Sequence, residues 1–551
     1  MGGRESSGVN SPSSADLLRR LEELNEIGIS LSRERDTSRL LEAILVAAKK
    51  ITNADGGTLY RVDSEKKLVH FEILRTDSLG IAMGGTTGVE IPFYPVRLYD
   101  QAGNPNNSMV VAYSVLHDET VNIADAYSAE GFDFSGTQSF DRKTGYRSKS
   151  FLTVPMKNHE NEIIGVLQLI NAKGAGEITT FSEADQHLAE SLASQAAVAL
   201  TNRQLINQLE DLFESFINLI NAAIDDKSPY TGGHCQRVPT LTMMLAEAVN
   251  ETSEGPLAGF RMTDSDRYEL KIAGLLHDCG KVTTPVHVVD KATKLQTIFD
   301  RIGLIDTRFE IIKRDAEIEL MKAKLSAPGN PNGEWQQAER KYQVRLRQIN
   351  EDREFLRFAN IGSEAMSEQD QERVRQIART YRWRDGSGNE ADFLTADELK
   401  NLVIRSGTLT AEERQIINHH IEVTIKMLES LPWPRHLRNV PEYAGGHHER
   451  MDGKGYPRGL TREQMSVQAR VMGIADIFEA LTAKDRPYKK GKTLSESLHI
   501  LGKFRENGHI DPDLFDVFIR KRVYLKYAQQ YLDPEQIDTV DEARIPGYSQ
   551  V

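Results

Sequence analysis

The chain has 551 residues, 39% hydrophobic and 27% charged, with a formal net charge of −13. That length is too great for one core and predicts two or three domains of ordinary globular composition. The acidic balance argues against broad affinity for nucleic acid polymers, no apolar run is long enough to span a membrane, and only two cysteines, Cys235 and Cys279, favour the cytoplasm over a disulfide framework.

Residues 1–14 are Gly/Ser-rich without an apolar stretch and read as a disordered leader rather than a signal peptide. Helical spacing of Leu17, Leu18, Leu21, Leu24, Ile27 and Leu31, then Leu40, Leu41, Ile44 and Ala47, is broken near Asp36. Strand-like segments follow at 57–62, 67–74, 151–156 and 163–170, and the polar stretch 100–148 covers a surface or a pocket. From Phe181 the pattern is helical again, so residues 15–200 are expected to form an α+β sensor domain.

The run from Thr144 to Met156, continuing into 165–171, resembles a GAF domain, in particular those of cyclic-nucleotide phosphodiesterases. That subgroup carries an Asn-Lys…Phe-x-x-x-Asp-Glu signature. Here Asn171, Lys173, Phe181 and Asp185 match it, with Ala172 inserted and Gln186 in place of the Glu. The resemblance implies either a cyclic mononucleotide bound in the GAF domain or a purely structural set that closes the fold through a buried salt bridge. Beyond it, Leu205, Leu209, Leu212, Phe216 and Leu219 alternate in steps of four and three. This heptad seam makes 201–225 a helical linker that joins two copies as a homodimer, or else an amphipathic helix packed on its own domain.

From Asp226 to the end the pattern is mostly helical, and the chemistry concentrates there. His234 lies in the first turns of a helix. His277 and Asp278 close the apolar run 272–276. Glu412 and Glu413 lead to His420. His447 and His448 precede a turn holding Gly453, Gly455, Tyr456 and Pro457. Asp476 sits in an apolar helix where an unpaired charge would be costly. Imidazoles and carboxylates gathered from several helices suit a dinuclear metal site that hydrolyses a phosphodiester.

The order His … His-Asp … His … His-His … Asp resembles the HD-GYP family of HD phosphohydrolases over roughly 225–527, and its motifs taken together are highly specific. The resemblance implies hydrolysis of cyclic di-GMP to pGpG and on to GMP. It also implies one metal held by His234, His277, Asp278 and Asp476, with Asp278 bridging to a second held by His420, His447 and His448. Iron or manganese is the usual occupant. Lys281 would bind the scissile phosphate, Gly453, Gly455, Tyr456 and Pro457 would shape a loop near guanine and ribose, and Arg486 and Lys489 would take the far phosphate. Against the family pattern, residues 296–406 are an insertion. Its charged helices 308–324 and 334–358 flank a Pro/Gly break at 328–333 and read as a hairpin, a solvated arm or dimer contact. The run 385–389 reads as a turn rather than a calcium loop, since Glu390 and Ala396 stand where Gly and Glu are required.

Two departures bear on nuclearity. Ser228 replaces an Asp found in many relatives, and Tyr230 stands near where some place a further carboxylate. Two metals are therefore expected, although Asp225 and Asp226 lie close in sequence. Other polar residues have plainer readings: His419 on a helix surface, His287 and His436 structural, Cys235 and Cys279 core filler rather than redox sensors. Glu449 and Arg450 read as a pair orienting the ligand histidines, with helix capping as the rival. The whole describes a multidomain signalling enzyme: an α+β GAF sensor domain (15–200), a helical linker (201–225) and an all-α HD-GYP domain (226–551) with a helical insertion. Its alternatives are a phosphodiesterase for another cyclic dinucleotide such as 3′,3′-cGAMP, and a receptor that binds without turnover. Retention of all seven ligands favours catalysis over the receptor.

Overall fold

The computed structural model of the chain describes residues 14–548 apart from 35, 175–176, 228–232, 327–333, 363–364 and 485–490. It divides into two compact units, one ending at Leu212 and the other starting at Phe213. The expected leader, apart from Ser14, and the 328–333 break fall outside the described residues. No described helix is long and apolar enough to cross a membrane.

The first unit is built on one antiparallel sheet. Its strands are β1 (Ala54–Asp63), β2 (Leu68–Thr76), β3 (Ile81–Gly84), β4 (Val96–Arg97), β5 (Val121–Ile123), β6 (Phe151–Lys157), β7 (Ile163–Gly174) and β8 (Glu177–Thr179). Their order is β3-β2-β1-β7-β6-β5, with β4 against β2 and β8 against β7. Strand alternation sorts the two faces. Leu59, Leu167 and Leu169 pack with Ile44, Leu45 and Ala48 of the Thr37–Ile51 helix and with Leu192, Ala193 and Ala196 of the Glu183–Lys227 helix. Their neighbours Tyr60 and Val166 face Val111 and Ala112 of the Val110–His117 helix on the other side. The break near Asp36 is a helix start, because the Asp36 side chain accepts the Arg39 N–H as an N-cap.

The 100–148 stretch is more ordered than its polarity predicts. It holds the Val110–His117 helix, β5 and the Ser135–Thr144 helix, whose buried Val110, Val111 and Ala112 are flanked by polar turns that mask them in composition.

The second unit is helical, and its main core collects Leu241, Leu245, Leu270, Ile272, Leu276, Met472, Phe478, Leu498, Phe515 and Tyr527. The end of the Glu183–Lys227 helix belongs to it: Ile217 is in that core, and Asn221 Nδ2 donates to the Leu275 carbonyl at 2.9 Å.

Within this unit the segment 296–406, read from sequence as an insertion, has a core of its own, unlike a solvated arm. Helices Ile302–Ser326 and Glu334–Asn360, with Glu368–Thr380, enclose a separate core of Ile305, Phe309, Ile349, Leu356, Val374, Ile377, Phe393 and Leu402. The buried Arg308 guanidinium pairs with buried Glu398 at 2.6 Å. Among the described residues the helical unit also holds a small hairpin, β9 (Arg382–Arg384) with β10 (Glu390–Asp392). Asp385 makes its turn, its Oδ1 accepting the Ser387 and Asn389 N–H groups at 2.9 Å each, so 385–389 is a turn as read.

Candidate metal centre

Each of the seven imidazole and carboxylate groups enters from a helix end or a helix face. His234 is the first residue of the His234–Asn250 helix, after Gly233 in the left-handed region (φ 81). His277 ends the Asp264–Leu276 helix, which starts with a capping box between Thr263 and Asp266. Asp278 opens the short turn Cys279–Thr283. His420 lies within the Ala411–Glu429 helix, whose own capping box joins Thr410 and Glu413. His447 and His448 follow the Val440–Gly445 helix, and Asp476 is inside Val467–Thr482.

Two glycines allow the close approach. A Cβ on Gly280 would lie 2.0 Å from the His420 carbonyl oxygen, so only glycine lets the His-Asp turn sit against that helix, where the Gly280 N–H donates to Thr424 Oγ1 at 2.9 Å. A Cβ on Gly455 would meet the Arg450 nitrogen at 2.4 Å, which folds the Gly-Tyr-Pro turn back onto the segment after His448.

The side-chain tips converge. His234 Nε2 is 3.1 Å from Asp278 Oδ2 and 3.4 Å from Asp476 Oδ1, and His277 Nε2 is 3.2 Å from Asp278 Oδ2. On the other side His420 Nε2 is 3.2 Å from Asp278 Oδ1 and 3.3 Å from His448 Nε2. His420, His447 and His448 make one cluster capable of holding a cation, and His234, His277 and Asp476 another. His277, Asp278 and His447 form a third between them. Donor atoms about 2.1 Å from a cation and subtending 90–109° are separated by about 3.0–3.4 Å, which is the spacing seen.

The hydrogen-bond pattern supports the same fit. His277, His420 and His447 each aim Nδ1 at a carbonyl three residues earlier, Gly274, Ile417 and Ala444, at 2.7, 2.5 and 2.6 Å. A donor at Nδ1 leaves Nε2 as a lone pair pointing inward. His447 Nε2 is buried with no hydrogen-bond partner, and so is Asp278 Oδ1, which faces His420 Nε2 without hydrogen-bonding geometry. Buried acceptors facing one another are costly unless a cation stands between them.

The protonation states of His447 and His448 agree, whereas the Glu479, Asp278 and Asp476 carboxylates outweigh burial and hold His234 well above the usual imidazole range. Burial and the neighbouring His277 push His447 down to about 4, and burial together with His447 holds His448 well below the usual imidazole range. Both rings are neutral near pH 7, as ligation requires. Burial alone would raise the Asp278 carboxyl, but Lys281 and His277 hold it well below the usual carboxylate range. Lys281 Nζ sits 2.5 Å from Asp278 Oδ2.

The Gly-Tyr-Pro turn borders the cluster. Gly453 has φ 73, and the Tyr456 ring stacks on His448 with centroids 4.9 Å apart. Pro457 and Arg458 line a groove with Glu422, Ile425, Lys426 and Glu429. The Glu449–Arg450 pairing expected from sequence is not made. Buried Glu449 instead accepts the Arg458 and Leu460 N–H groups at 2.7 and 2.9 Å and so pins the turn, while Arg450 pairs with Asp452 at 2.9 Å. Arg486 and Lys489, with Ser228 and Tyr230, lie outside the described residues.

Sequence reading passed over Glu479, although its i,i+3 spacing from Asp476 puts both on one helix face. His419 is exposed and turned to Glu422 at 2.8 Å, and His287 and His436 are exposed as well. Cys235 and Cys279 are free and buried, their thiols pushed up to about 12 and about 11 by burial, which fits core filler.

In the first unit the four signature residues are engaged internally. Asn171 Oδ1 accepts the Lys149 N–H at 2.7 Å, and Nδ2 donates to the Arg147 carbonyl at 2.8 Å. Phe181 is core. Asp185 accepts the Ser182 N–H at 3.0 Å and pairs with Arg20 at 2.9 Å. Lys173 reaches Asp55 at 3.5 Å instead of Asp185 and is 42% exposed, so the buried Lys–Asp bridge of the structural reading is replaced by a half-exposed pair and a helix cap.

Comparisons with known proteins follow the same division. The GAF domain family matches residues 36–200, and HD domain families match 231–354 and 395–514. A cyclic di-GMP phosphodiesterase of Pseudomonas aeruginosa is 37% identical over 116 residues, covering 21% of this chain and 27% of the relative. A 3′3′-cGAMP-specific phosphodiesterase of Vibrio cholerae is 42% identical over 92 residues, 17% of this chain and 20% of the relative. A dual 3′,5′-cyclic-AMP and -GMP phosphodiesterase of Takifugu rubripes is 31% identical over 185 residues, 33% of this chain and 18% of the relative. The chain thus spans about a quarter or less of the length of these relatives. It carries a GAF domain followed by an HD domain.

Proposed function

We propose that the chain is a metal-dependent phosphodiesterase that hydrolyses cyclic di-GMP to pGpG and on to GMP under control of its GAF domain. The observation that carries this reading is the convergence of His234, His277, Asp278, His420, His447, His448 and Asp476, with Nε2 and carboxylate oxygens spaced to surround two cations. Two divalent ions at such a site, iron or manganese in this reading, supply an acidified water as nucleophile and neutralise charge on the phosphoryl oxygens.

The chain's own groups do the rest. Five imidazoles, which ligate only in their neutral form, and two carboxylates under-neutralise two dications, so the site attracts a phosphodiester even though the chain is acidic overall. Lys281, against Asp278, needs only a small swing of its Nζ to meet a phosphate oxygen. Asp278 presents one oxygen to each half of the cluster and holds both halves in register. The Tyr456 ring and the turn pinned by Glu449 form a wall for a nucleobase. Arg486 and Lys489 are assigned to the far phosphate from the motif alone.

Incubating the manganese- or iron-loaded full chain with cyclic di-GMP and scoring pGpG and GMP tests the reading, with Asp278→Ala as the inactive control. Binding without turnover in a fully metallated sample would leave the receptor reading. The similarity to a 3′3′-cGAMP-specific enzyme favours 3′,3′-cGAMP as the second substrate to assay. The GAF ligand in this reading is a cyclic mononucleotide. Dimerisation uses the seam on the Glu183–Lys227 helix, where Leu205, Leu209, Leu212, Phe216 and Leu219 are 45 to 65% exposed.

A further inference from the structure

Each imidazole of the cluster faces the same requirement: a ligating Nε2 needs its Nδ1 proton held by an acceptor, or the ring turns and the tautomer is lost. His277, His420 and His447 meet it locally, each through a carbonyl three residues back. His234, the first residue of its helix, meets it through a side chain from another helix. Glu479, on the Val467–Thr482 helix and 1% exposed, puts Oε2 2.5 Å from His234 Nδ1, while its Oε1 accepts from Arg237 Nε at 2.7 Å. One turn earlier on the same helix, Asp476 Oδ1 is 3.4 Å from His234 Nε2. A single helix therefore grips both nitrogens of one imidazole.

We propose that Glu479 is a positioning residue for the metal site formed by His234, His277, Asp278 and Asp476, fixing the His234 tautomer and strengthening its Nε2 as a donor, with Arg237 aiming the carboxylate. The proposal rests on the dinuclear reading above. Burying a carboxylate at this depth is costly, and its two partners are the imidazole and the guanidinium. A merely structural pair needs only the Arg237 contact and has no reason to reach an imidazole nitrogen whose opposite side points into the cluster.

The test is equilibrium Mn2+ binding to the metal-stripped full chain, with free Mn2+ read by its electron paramagnetic resonance signal. Wild type, Glu479→Gln and Glu479→Ala are compared, with thermal melts of each metal-free protein. Wild type is expected to take two equivalents. In Glu479→Gln, which keeps an acceptor but loses the charge, one of the two sites weakens about tenfold, and in Glu479→Ala by up to about 100-fold, while the other site keeps its wild-type affinity. Two wild-type affinities in both variants would overturn the proposal. So would equal weakening of both sites together with a lowered metal-free melt, which marks a structural role. A wild-type chain that takes up no metal would instead remove the dinuclear reading beneath it.

Discussion

Replacing Gly280 by alanine tests whether the two halves of the cluster depend on the close approach of the His-Asp turn to the His420 helix. The new Cβ would be built 2.0 Å from the His420 carbonyl oxygen, 2.6 Å from the Thr424 nitrogen and 2.7 Å from Thr424 Oγ1. An ordinary carbon–oxygen contact needs about 3.4 Å, so the turn and the helix must separate by about 1.4 Å. Two of the three contacts are backbone, so no rotamer change relieves the clash. Overpacking of this kind costs about 1–3 kcal/mol. The larger effect falls on the site. Asp278 stands two residues before Gly280, and its 3.2 Å approach to His420 Nε2 would open by a comparable distance. A carboxylate that spans both halves can then serve only one, and a displacement of about 1 Å costs on the order of 100-fold in rate. Manganese titration should show one equivalent retained and one lost, and turnover of cyclic di-GMP should fall by at least that factor. A Gly280→Ala protein with two wild-type equivalents and undiminished turnover would refute the reasoning.

Other perturbations have distinct signatures. Glu449→Ala removes the carboxylate holding the Arg458 and Leu460 N–H groups, bonds to a charged acceptor worth about 1.5–3 kcal/mol each, and should raise KM on the order of tenfold while kcat changes little. The opposite split in steady-state kinetics would show that the turn does not bind substrate. Lys294 is buried, and burial brings its ammonium down to about 8. An unfolded lysine stays protonated to about 10.4, so the unfolded state binds more protons in that window and stability should rise as pH climbs from 8 towards 10.4. Melting curves across that range should show the rise in wild type and lose it in Lys294→Met. Leu209→Glu and Leu212→Glu, at positions 64% and 52% exposed, should give monomers by sedimentation without lowering the melt of the monomer unit, and persistence of a dimer would place the contact elsewhere.

The cluster residues were legible because metal sites need particular side chains, and His277-Asp278 and His447-His448 lie at helix ends that periodicity already marks. The long strands were legible for a similar reason, since β6 and β7 are largely apolar and mostly buried. What escaped sequence reading depends on distant partners. Glu479 gains its meaning from His234, 245 positions away, and Glu449 from a turn that doubles back onto it. Lys173 lies in the signature, yet it pairs with Asp55 across 118 positions. The helix beginning at Val110 was hidden because its short apolar run sits inside a polar stretch. Spacing tells which face a residue occupies; it does not tell what that face meets.

The insertion shows how a sequence-distant pair of motifs stays one site. His277 and Asp278 lie before it, and His420, His447, His448 and Asp476 after it. A flexible loop of this length would leave the two sets free to drift, at a closure cost that rises only slowly with length. The structure closes the loop at its base instead. Thr293 bridges to Ile361, and the Lys294 N–H donates to the Asn360 carbonyl at 2.9 Å. Buried Lys291 binds Asn401 Oδ1 at 2.8 Å and both oxygens of Glu413 at 2.8 and 2.7 Å, and its carbonyl accepts from Thr408 Oγ1 at 2.8 Å. Glu413 is also the capping-box residue of the helix that carries His420. The strap after the His-Asp turn is thereby tied to the start of the His420 helix, and the insertion's own core keeps the tie short. Loosening these ties is therefore expected to part the same two elements that Gly280 brings together, read as loss of one manganese equivalent in Lys291→Met.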